Sequence, residues 1–251
     1  MKLGIIDSAF KQAGVDTKTG LEHIARIGFD CVDIFTEALS ISEKDIHLIE
    51  NTCSNNNLQI TSLPVVAAGL IDFNDPVREF HLNRCKKFID LCARFEANNL
   101  LLVLGEYIWQ REVIPPELQW KWAVDNTKLL GDYAAEKGIE IALELEPFRL
   151  SLLNNIKEMT RFLDDCDHPA VKANIDISHL VLADVSPSEL SCLKTGSPMF
   201  ISATATARFT ATSLPDEEWS NSCPTSKQSR NSKLTAPLPW NWNIHPTQIK
   251  S

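Results

Sequence analysis

Short apolar runs alternate along the first 194 residues with longer segments in which apolar positions recur at helical spacing. Six of the runs have the length and the aliphatic composition of buried strands. These are Lys2–Ile6, Cys31–Phe35, Gln59–Val65, Leu100–Leu104, Ile141–Glu146 and Lys172–Ile177. Single strands that alternate with helices are typical of repeated βα units around a parallel sheet.

Helix signals lie between these strands and after the last one. Ser42 and Asp45 have the spacing of a capped helix start, Pro116 stands where a first helical turn accepts proline, and a sixth helix is predicted over Ser186–Leu193. Six units take about 32 residues each, so eight would take about 256, and the pattern predicts an α/β fold of the (β/α)8 TIM-barrel class. A doubly wound open sheet is the alternative, although no glycine-rich nucleotide loop follows the first strand.

The composition changes near residue 195. Residues 1–194 contain 30 Asp and Glu against 19 Lys and Arg, whereas residues 195–251 contain three against five. Of these last 57 residues, 17 are Ser or Thr and six are proline. We therefore predict a domain of six βα units over 1–194 and an irregular tail over 195–251 in place of the last two units, which leaves the barrel incomplete.

Charge and cysteine content narrow the class of protein. A net charge of −9 argues against nucleic acid or an anionic membrane as the main partner. Asp7 interrupts the start too early for a secretory signal, and no apolar run approaches the roughly 18 residues of a membrane span. The seven cysteines form no C-x-x-C pair and are expected to be buried, reduced thiols. These features favour a soluble, cytoplasmic protein.

The fifth strand contains two acidic residues in alternation. Its period of two places Ala142, Glu144 and Glu146 on one face and large aliphatic residues on the other. In a barrel the helices cover the aliphatic face, so both glutamates are expected to point inward, with Glu146 at the mouth. A carboxylate buried there needs a cationic partner.

The sixth strand repeats this arrangement. Lys172, Asn174 and Asp176 share a face, and His179 follows the end of the strand. Carboxylates from adjacent strand ends, with an imidazole beside them, suit a divalent ion such as Mn, Mg or Co. We expect Glu146 and Asp176 to be the metal ligands.

A purely structural interpretation stays open for part of this set. Lys172 can pair with Glu144 inside the barrel, and Asp176 can cap the turn that follows it. Glu106, after the fourth strand, and Arg149, after the fifth, can either line the mouth or be solvated loop charges.

Three segments together resemble a known family. Leu21–Asp30, the sequence Glu-Leu-Glu-Pro at 144–147 and the sequence Asp-Ile-Ser-His at 176–179 are similar to the sugar phosphate isomerase/epimerase family, the xylose isomerase-like barrels. The resemblance covers residues 1 to about 194. In that family a Glu after strand five, an Asp after strand six, a His after strand seven and a Glu after strand eight hold one divalent metal. The two glutamates also form the acid/base pair.

The resemblance implies both roles and activity. Glu146 would be metal ligand and base, Asp176 a ligand, and His179 a substrate contact, with Glu144, Arg149 and Glu106 as further substrate-binding candidates. The implied reaction is metal-dependent proton transfer beside a carbonyl, through an enediolate, on a small sugar, sugar phosphate or keto/hydroxy acid. This would place the protein in carbohydrate metabolism, and related barrels often form homodimers.

The tail does not contain the motifs of the last two units, but an alternative reading frame does. In this frame each codon consists of the last base of one codon and the first two bases of the next. Phe200 must then be read as Val, and Met199 and Ile201 can each be read as His. The segment Pro215–Trp219 can be read as Pro-Gly-Arg-Gly-Val. The same register forces Glu-Leu-Glu near Trp240–Asn243. These are the family's missing motifs in the right order, so we interpret the tail as encoded out of frame from before about residue 197.

The tail is expected to impair the activity of this chain. It has two of the four expected metal ligands and one of the two acid/base glutamates, so metal binding is expected to be weak or absent. The alternatives to an impaired isomerase or epimerase are a non-catalytic remnant, a dehydratase and an abasic-site endonuclease on the same barrel. The net charge of −11 over residues 1–194 disfavours the endonuclease.

Overall fold

The computed structural model describes residues 2–108, 111–182, 185–186 and 200–202. Within them, seven strands form one parallel sheet in which each strand is hydrogen-bonded to the next along the chain. The strands are β1 (Gly4–Ile6), β2 (Cys31–Asp33), β3 (Gln59–Val66), β4 (Asn99–Val103), β5 (Glu140–Glu144), β6 (Val171–Asp176) and β7 (Phe200–Ser202). Parallel neighbours in sequence order are the topology of a βα barrel wall.

Helical segments follow each of the first six strands. They are α1 (Ser8–Gln12), α2 (Thr17–Ile27), α3 (Glu43–Asn55), a 3-10 turn (Ala68–Ile71), α4 (Asp75–Arg94), α5 (Pro116–Glu136), α6 (Ile156–Cys166) and α7 (Ile177–Leu182). The predicted α/β repeat is therefore confirmed over the body of the chain. The seven strands among the described residues, where a complete (β/α)8 barrel has eight, support an incomplete barrel.

Helix ends follow the signals in the sequence. The amide of Asp45 donates to Ser42 Oγ at 3.1 Å at the start of α3. At the start of α6 the Glu158 amide donates to Asn155 Oδ1 at 2.9 Å. Gly28 ends α2 with a φ of 105°, a left-handed conformation that only glycine adopts without strain.

The core lies between the sheet and the helices. On β5 and just beyond it, Ile141, Leu143 and Leu145 belong to this core, each no more than 1% exposed. Glu144 alternates with them and is 6% exposed, so its carboxylate is buried on the opposite face of the sheet. The two faces predicted for this strand are confirmed, and the Glu144 side chain lies on the inner face of the barrel wall.

Four strands, β2, β4, β5 and β6, end one or two residues earlier than predicted. β5 ends at Glu144 and not at Glu146, because the Glu146 amide donates to Leu153 O at 3.0 Å within the connection to α6 and Pro147 has no amide to offer. β6 ends at Asp176 and not at Ile177, which is the first residue of α7.

Part of the predicted tail is described. Residues Phe200–Ser202 pair in parallel with Asn174–Asp176 and form a seventh strand near the start of the tail. Residues 187–199 and 203–251 lie outside the described residues. The first of these ranges contains all of the helix predicted at 186–193 except its first residue.

The cysteines and helices agree with the composition. Five thiols, at Cys31, Cys53, Cys85, Cys92 and Cys166, are free and buried, whereas positions 192 and 223 lie outside the described residues. In the described part of the chain, every helix is too short or too polar to cross a membrane.

Candidate metal and substrate site

The last residue of β5 holds a buried carboxylate opposite β6. Glu144 is in register with Asn174 on β6 and accepts a hydrogen bond from the Asn174 side-chain amide. Its Oε1 lies 3.0 Å from His179 Nδ1. Burial raises the pKa of Glu144, and the contacts with His179 and Asn174 oppose that rise.

The last residue of β6 holds a second buried carboxylate. Asp176 is 4% exposed, and its Oδ1 accepts hydrogen bonds from the Ser178 amide at 2.7 Å and the Ser178 hydroxyl at 2.6 Å. These contacts turn the chain directly from the strand into α7. The capping role that the sequence left open for Asp176 is therefore confirmed, and it orients the carboxylate at the end of the sheet.

His179 joins the two strand ends. Its Nδ1 lies 2.7 Å from Leu145 O and 3.0 Å from Glu144 Oε1. Both partners are acceptors, so Nδ1 carries a proton and Nε2 is the nitrogen left to face a ligand. The hydrogen bond to Glu144 raises the pKa of His179 to about 9, against an opposing effect of burial and with support from Asp176.

These three side chains form one cluster. One possible ligand atom from each of Glu144, Asp176 and His179 lies within 4.8 Å of the other two. Two carboxylates and an imidazole are a donor set for Mg, Mn, Co or Zn. Because Nδ1 is engaged with Leu145 O and with the carboxylate of Glu144, the two carboxylates are the groups best placed to hold an ion, and His179 orients Glu144.

Comparison with known proteins identifies the fold. A family model described as the xylose isomerase-like TIM barrel matches residues 21–205, which is most of the chain. The chain belongs to this family. The resemblance found in the sequence motifs is thereby confirmed.

Two curated relatives of this xylose isomerase-like barrel are enzymes. It is 24% identical over 194 residues to the D-psicose 3-epimerase of Ruminiclostridium cellulolyticum, covering 74% of this chain and 66% of the relative. It is 25% identical over 173 residues to the 3-dehydroshikimate dehydratase of Pseudomonas putida, covering 68% of this chain and 26% of the relative. The chain thus spans slightly less than two thirds of the epimerase and about a quarter of the dehydratase.

Solved structures show the same fold. The D-allulose 3-epimerase of a Methylomonas species, in complex with D-allulose, superimposes with a TM-score of 0.69 at 21% identity, covering 86% of this chain and 76% of that one. A xylose isomerase-like TIM barrel from Mycobacterium smegmatis, in complex with magnesium, superimposes with a TM-score of 0.58 at 21% identity, covering 72% and 66%.

The predicted ligand Glu146 lies beside the cluster and outside it. Its side chain is half-buried and lines a small pocket together with Glu144, Gly105 and Ser151. Burial raises the pKa of Glu146, and the nearby carboxylates Glu144 and Glu106 add to the effect, whereas His179 opposes it. The structure thus brings Glu144 to Asp176 and His179, and it places Glu146 in the adjoining pocket.

The remaining predicted residues lie on the rim. Glu106 is exposed and forms an isolated antiparallel bridge with Ser151. Arg149 is also exposed, in the connection between β5 and α6. Among the described residues the cationic partner of Glu144 is His179, and no ion pair joins Glu144 to Lys172 as the structural alternative required.

Three polar residues of the site were not predicted from the sequence to be site residues. Asn174 shares a face with Asp176, and that alternation was the signal that could have found it. Ser178 has the spacing of a capping partner two residues after Asp176. Ser151 has no such signal, because only the return of the β5–α6 connection over Gly105 brings it to the pocket.

Proposed function

We propose that this chain has the site of a divalent-metal-dependent sugar isomerase or epimerase, impaired by its tail. The observation that carries the proposal is the cluster of Glu144, Asp176 and His179 at the ends of adjacent parallel strands. In TIM-barrel enzymes the active site lies at the carboxyl ends of the strands. Relatives named as ketose epimerases, and one family structure with magnesium, support the substrate class and the need for a metal.

Each residue of the site has a proposed task. Glu144 and Asp176 would hold the ion, which when bound supplies a Lewis acid that polarises the carbonyl and hydroxyl oxygens of a substrate. His179 holds the carboxylate of Glu144 in place through Nδ1 and presents Nε2 to a substrate oxygen. Arg149 and Glu106 stay rim candidates for the distal end of the substrate.

Glu146 is the proposed base. Its half-buried carboxylate, in the same pocket as Glu144, can take the proton from the carbon next to a substrate carbonyl, and the bonding electrons move to the carbonyl oxygen. The raised pKa of Glu146 makes it a better proton acceptor than an ordinary glutamate. Returning the proton to the opposite face requires a second acid, for which the family uses the strand-eight glutamate that this reading frame lacks.

Metal titration and turnover test this proposal together. Two protein carboxylates should hold Mn²⁺ only weakly, in the millimolar range typical of sites with few charged ligands. Water-proton relaxation should detect this binding, and Glu144→Ala and Asp176→Ala should each abolish it, whereas Asp165→Ala, on a helix surface, should not. Micromolar binding would refute the impairment. Binding that both variants leave intact would refute the site.

Turnover separates the impaired enzyme from the intact one. D-fructose, D-tagatose and D-allulose should interconvert with a chain whose tail is restored to the alternative frame, and far more slowly with the chain as given. Equal activity of the two would show that the tail is not needed. Inactivity of both would favour a non-catalytic remnant.

A dehydratase is the second candidate, favoured by the match to a 3-dehydroshikimate dehydratase. The same base would remove the proton beside the carbonyl, but hydroxide would leave from the next carbon and no proton would return. Mass spectrometry of the products distinguishes the two, because dehydration removes one water from the substrate and epimerisation leaves the mass unchanged.

A further inference from the structure

Ser151 is fixed in place by the backbone around it. The Tyr107 amide donates to Leu150 O at 2.8 Å, and the Leu152 amide donates to Gly105 O at 3.3 Å. The amide of Ser151 itself donates to Phe148 O at 3.0 Å. The β5–α6 connection is therefore pinned on both sides of Ser151, against the segment that follows β4.

The Ser151 hydroxyl is buried in the pocket without a partner. The residue is 2% exposed, and within the described part of the chain its Oγ makes no hydrogen bond. It lines the same pocket as the carboxylates of Glu144 and Glu146. A buried hydroxyl left unpaired destabilises a fold, so one that is retained beside a reaction site indicates a partner that arrives with the ligand.

A second buried serine shows the contrast. Ser62 on β3 is 5% exposed, and its Oγ donates to Asp33 Oδ1 at 2.6 Å. The hydrogen-bonding capacity of Ser62 is thus used within the fold, whereas that of Ser151 is free for a ligand.

We propose that Ser151 is a substrate-positioning residue that hydrogen-bonds a neutral hydroxyl of a polyhydroxy ketone lying over Glu144 and Glu146. A hydroxyl fits because it can accept from Ser151 and donate to a carboxylate, as serine and glutamate require. Two carboxylates lining one small pocket repel an anion, so a phosphate of the substrate would lie elsewhere. This assignment rests on the sugar-directed function proposed above.

Paired measurements on Ser151→Ala and Ser62→Ala test the assignment in the full chain. Saturation-transfer NMR with D-fructose, D-tagatose and D-allulose in the presence of Mg²⁺ gives the dissociation constant, and thermal unfolding gives Tm. Ser151→Ala should weaken sugar binding by about three- to tenfold, the loss of one hydrogen bond. Its Tm should be unchanged or higher. Ser62→Ala should bind sugar normally while its Tm falls by about 2–4 °C.

The outcomes separate this assignment from the proposed function. Sugar binding that is unchanged in Ser151→Ala, while the unmodified chain binds, overturns the role of Ser151 alone. A Tm of Ser151→Ala that falls as far as that of Ser62→Ala shows a structural partner and overturns it as well. Absence of sugar binding by the unmodified chain overturns the sugar-directed function together with the role that rests on it.

Discussion

Replacing His179 by glutamine should make the stability of the metal-free protein less dependent on pH. Glutamine keeps an N–H donor within reach of Leu145 O and Glu144 but cannot carry a positive charge. Whatever stability comes from the imidazolium beside the buried carboxylate is removed, while the packing around it changes little.

The magnitude follows from the raised pKa of His179. That pKa is about 9 in the folded chain against an ordinary value of 6.5. The folded state therefore binds the proton more tightly than the unfolded state, so the stabilisation is complete below about pH 6.5 and is lost as the pH rises through 9. At 1.36 kcal/mol per pKa unit the full effect is about 3 kcal/mol, of which about 2 kcal/mol disappears between about pH 6 and 8.5.

Urea unfolding in EDTA at several pH values within that window measures the effect. The quantity of interest is the difference in unfolding free energy between the unmodified chain and His179→Gln, because titrating groups that do not interact with His179 then cancel. Burial raises the pKa of Cys53 and Cys85 to about 12, and it lowers the pKa of His81, but these contributions are the same in both proteins. A difference that stays constant from pH 6 to 8.5 would refute the charged pair.

Three further predictions concern the connections and the tail. Gly105→Ala should lower the free energy of unfolding, measured in urea, by about 1–3 kcal/mol, because Gly105 has a φ of +84° and a Cβ there would lie 2.9 Å from Ala68 Cβ. Gly138→Ala should lower it by less, because Gly138 has a similar φ of +71° but open space around it. Asn155→Ala should cost about 1 kcal/mol through loss of the α6 cap, and Asn155→Ser should restore most of it. The coding DNA, read in the alternative frame, should specify arginine where Asp216 and Glu217 meet; a stop codon there would contradict the frame change.

The sequence was sufficient for the parts of the fold that depend on local periodicity. Alternation along β5 predicted correctly which side chains join the core and which face the barrel interior, because side-chain direction in a strand is fixed by a period of two. Proline and serine at helix starts acted as expected, since they satisfy local backbone requirements. Family membership followed from short motifs at strand ends.

The sequence was insufficient where the outcome depended on how a strand ends. Both Glu144 and Glu146 lie on the inward-facing side of the pattern, and the mouth position seemed the better ligand. The chain leaves the sheet after Glu144 because the amide of Glu146 donates to the carbonyl of Leu153, seven residues further along the chain. A contact made by a loop that folds back over the sheet leaves no periodic pattern in the sequence. The position of Ser151 in the pocket could not be predicted for the same reason.

The site depends most on the elements nearest the tail. Glu144 is buried on β5, yet the groups that offset its charge, Asn174 and His179, come from β6 and α7. Asp176 likewise gains its orientation from Ser178 at the start of α7. Within the described part of the chain, β6 is paired on its far side with the three residues of β7, Phe200–Ser202. Because a short strand contributes few hydrogen bonds, β6 and α7 should loosen first, and the side chains of Glu144, Asp176 and His179 would lose their mutual positions before the rest of the sheet is affected.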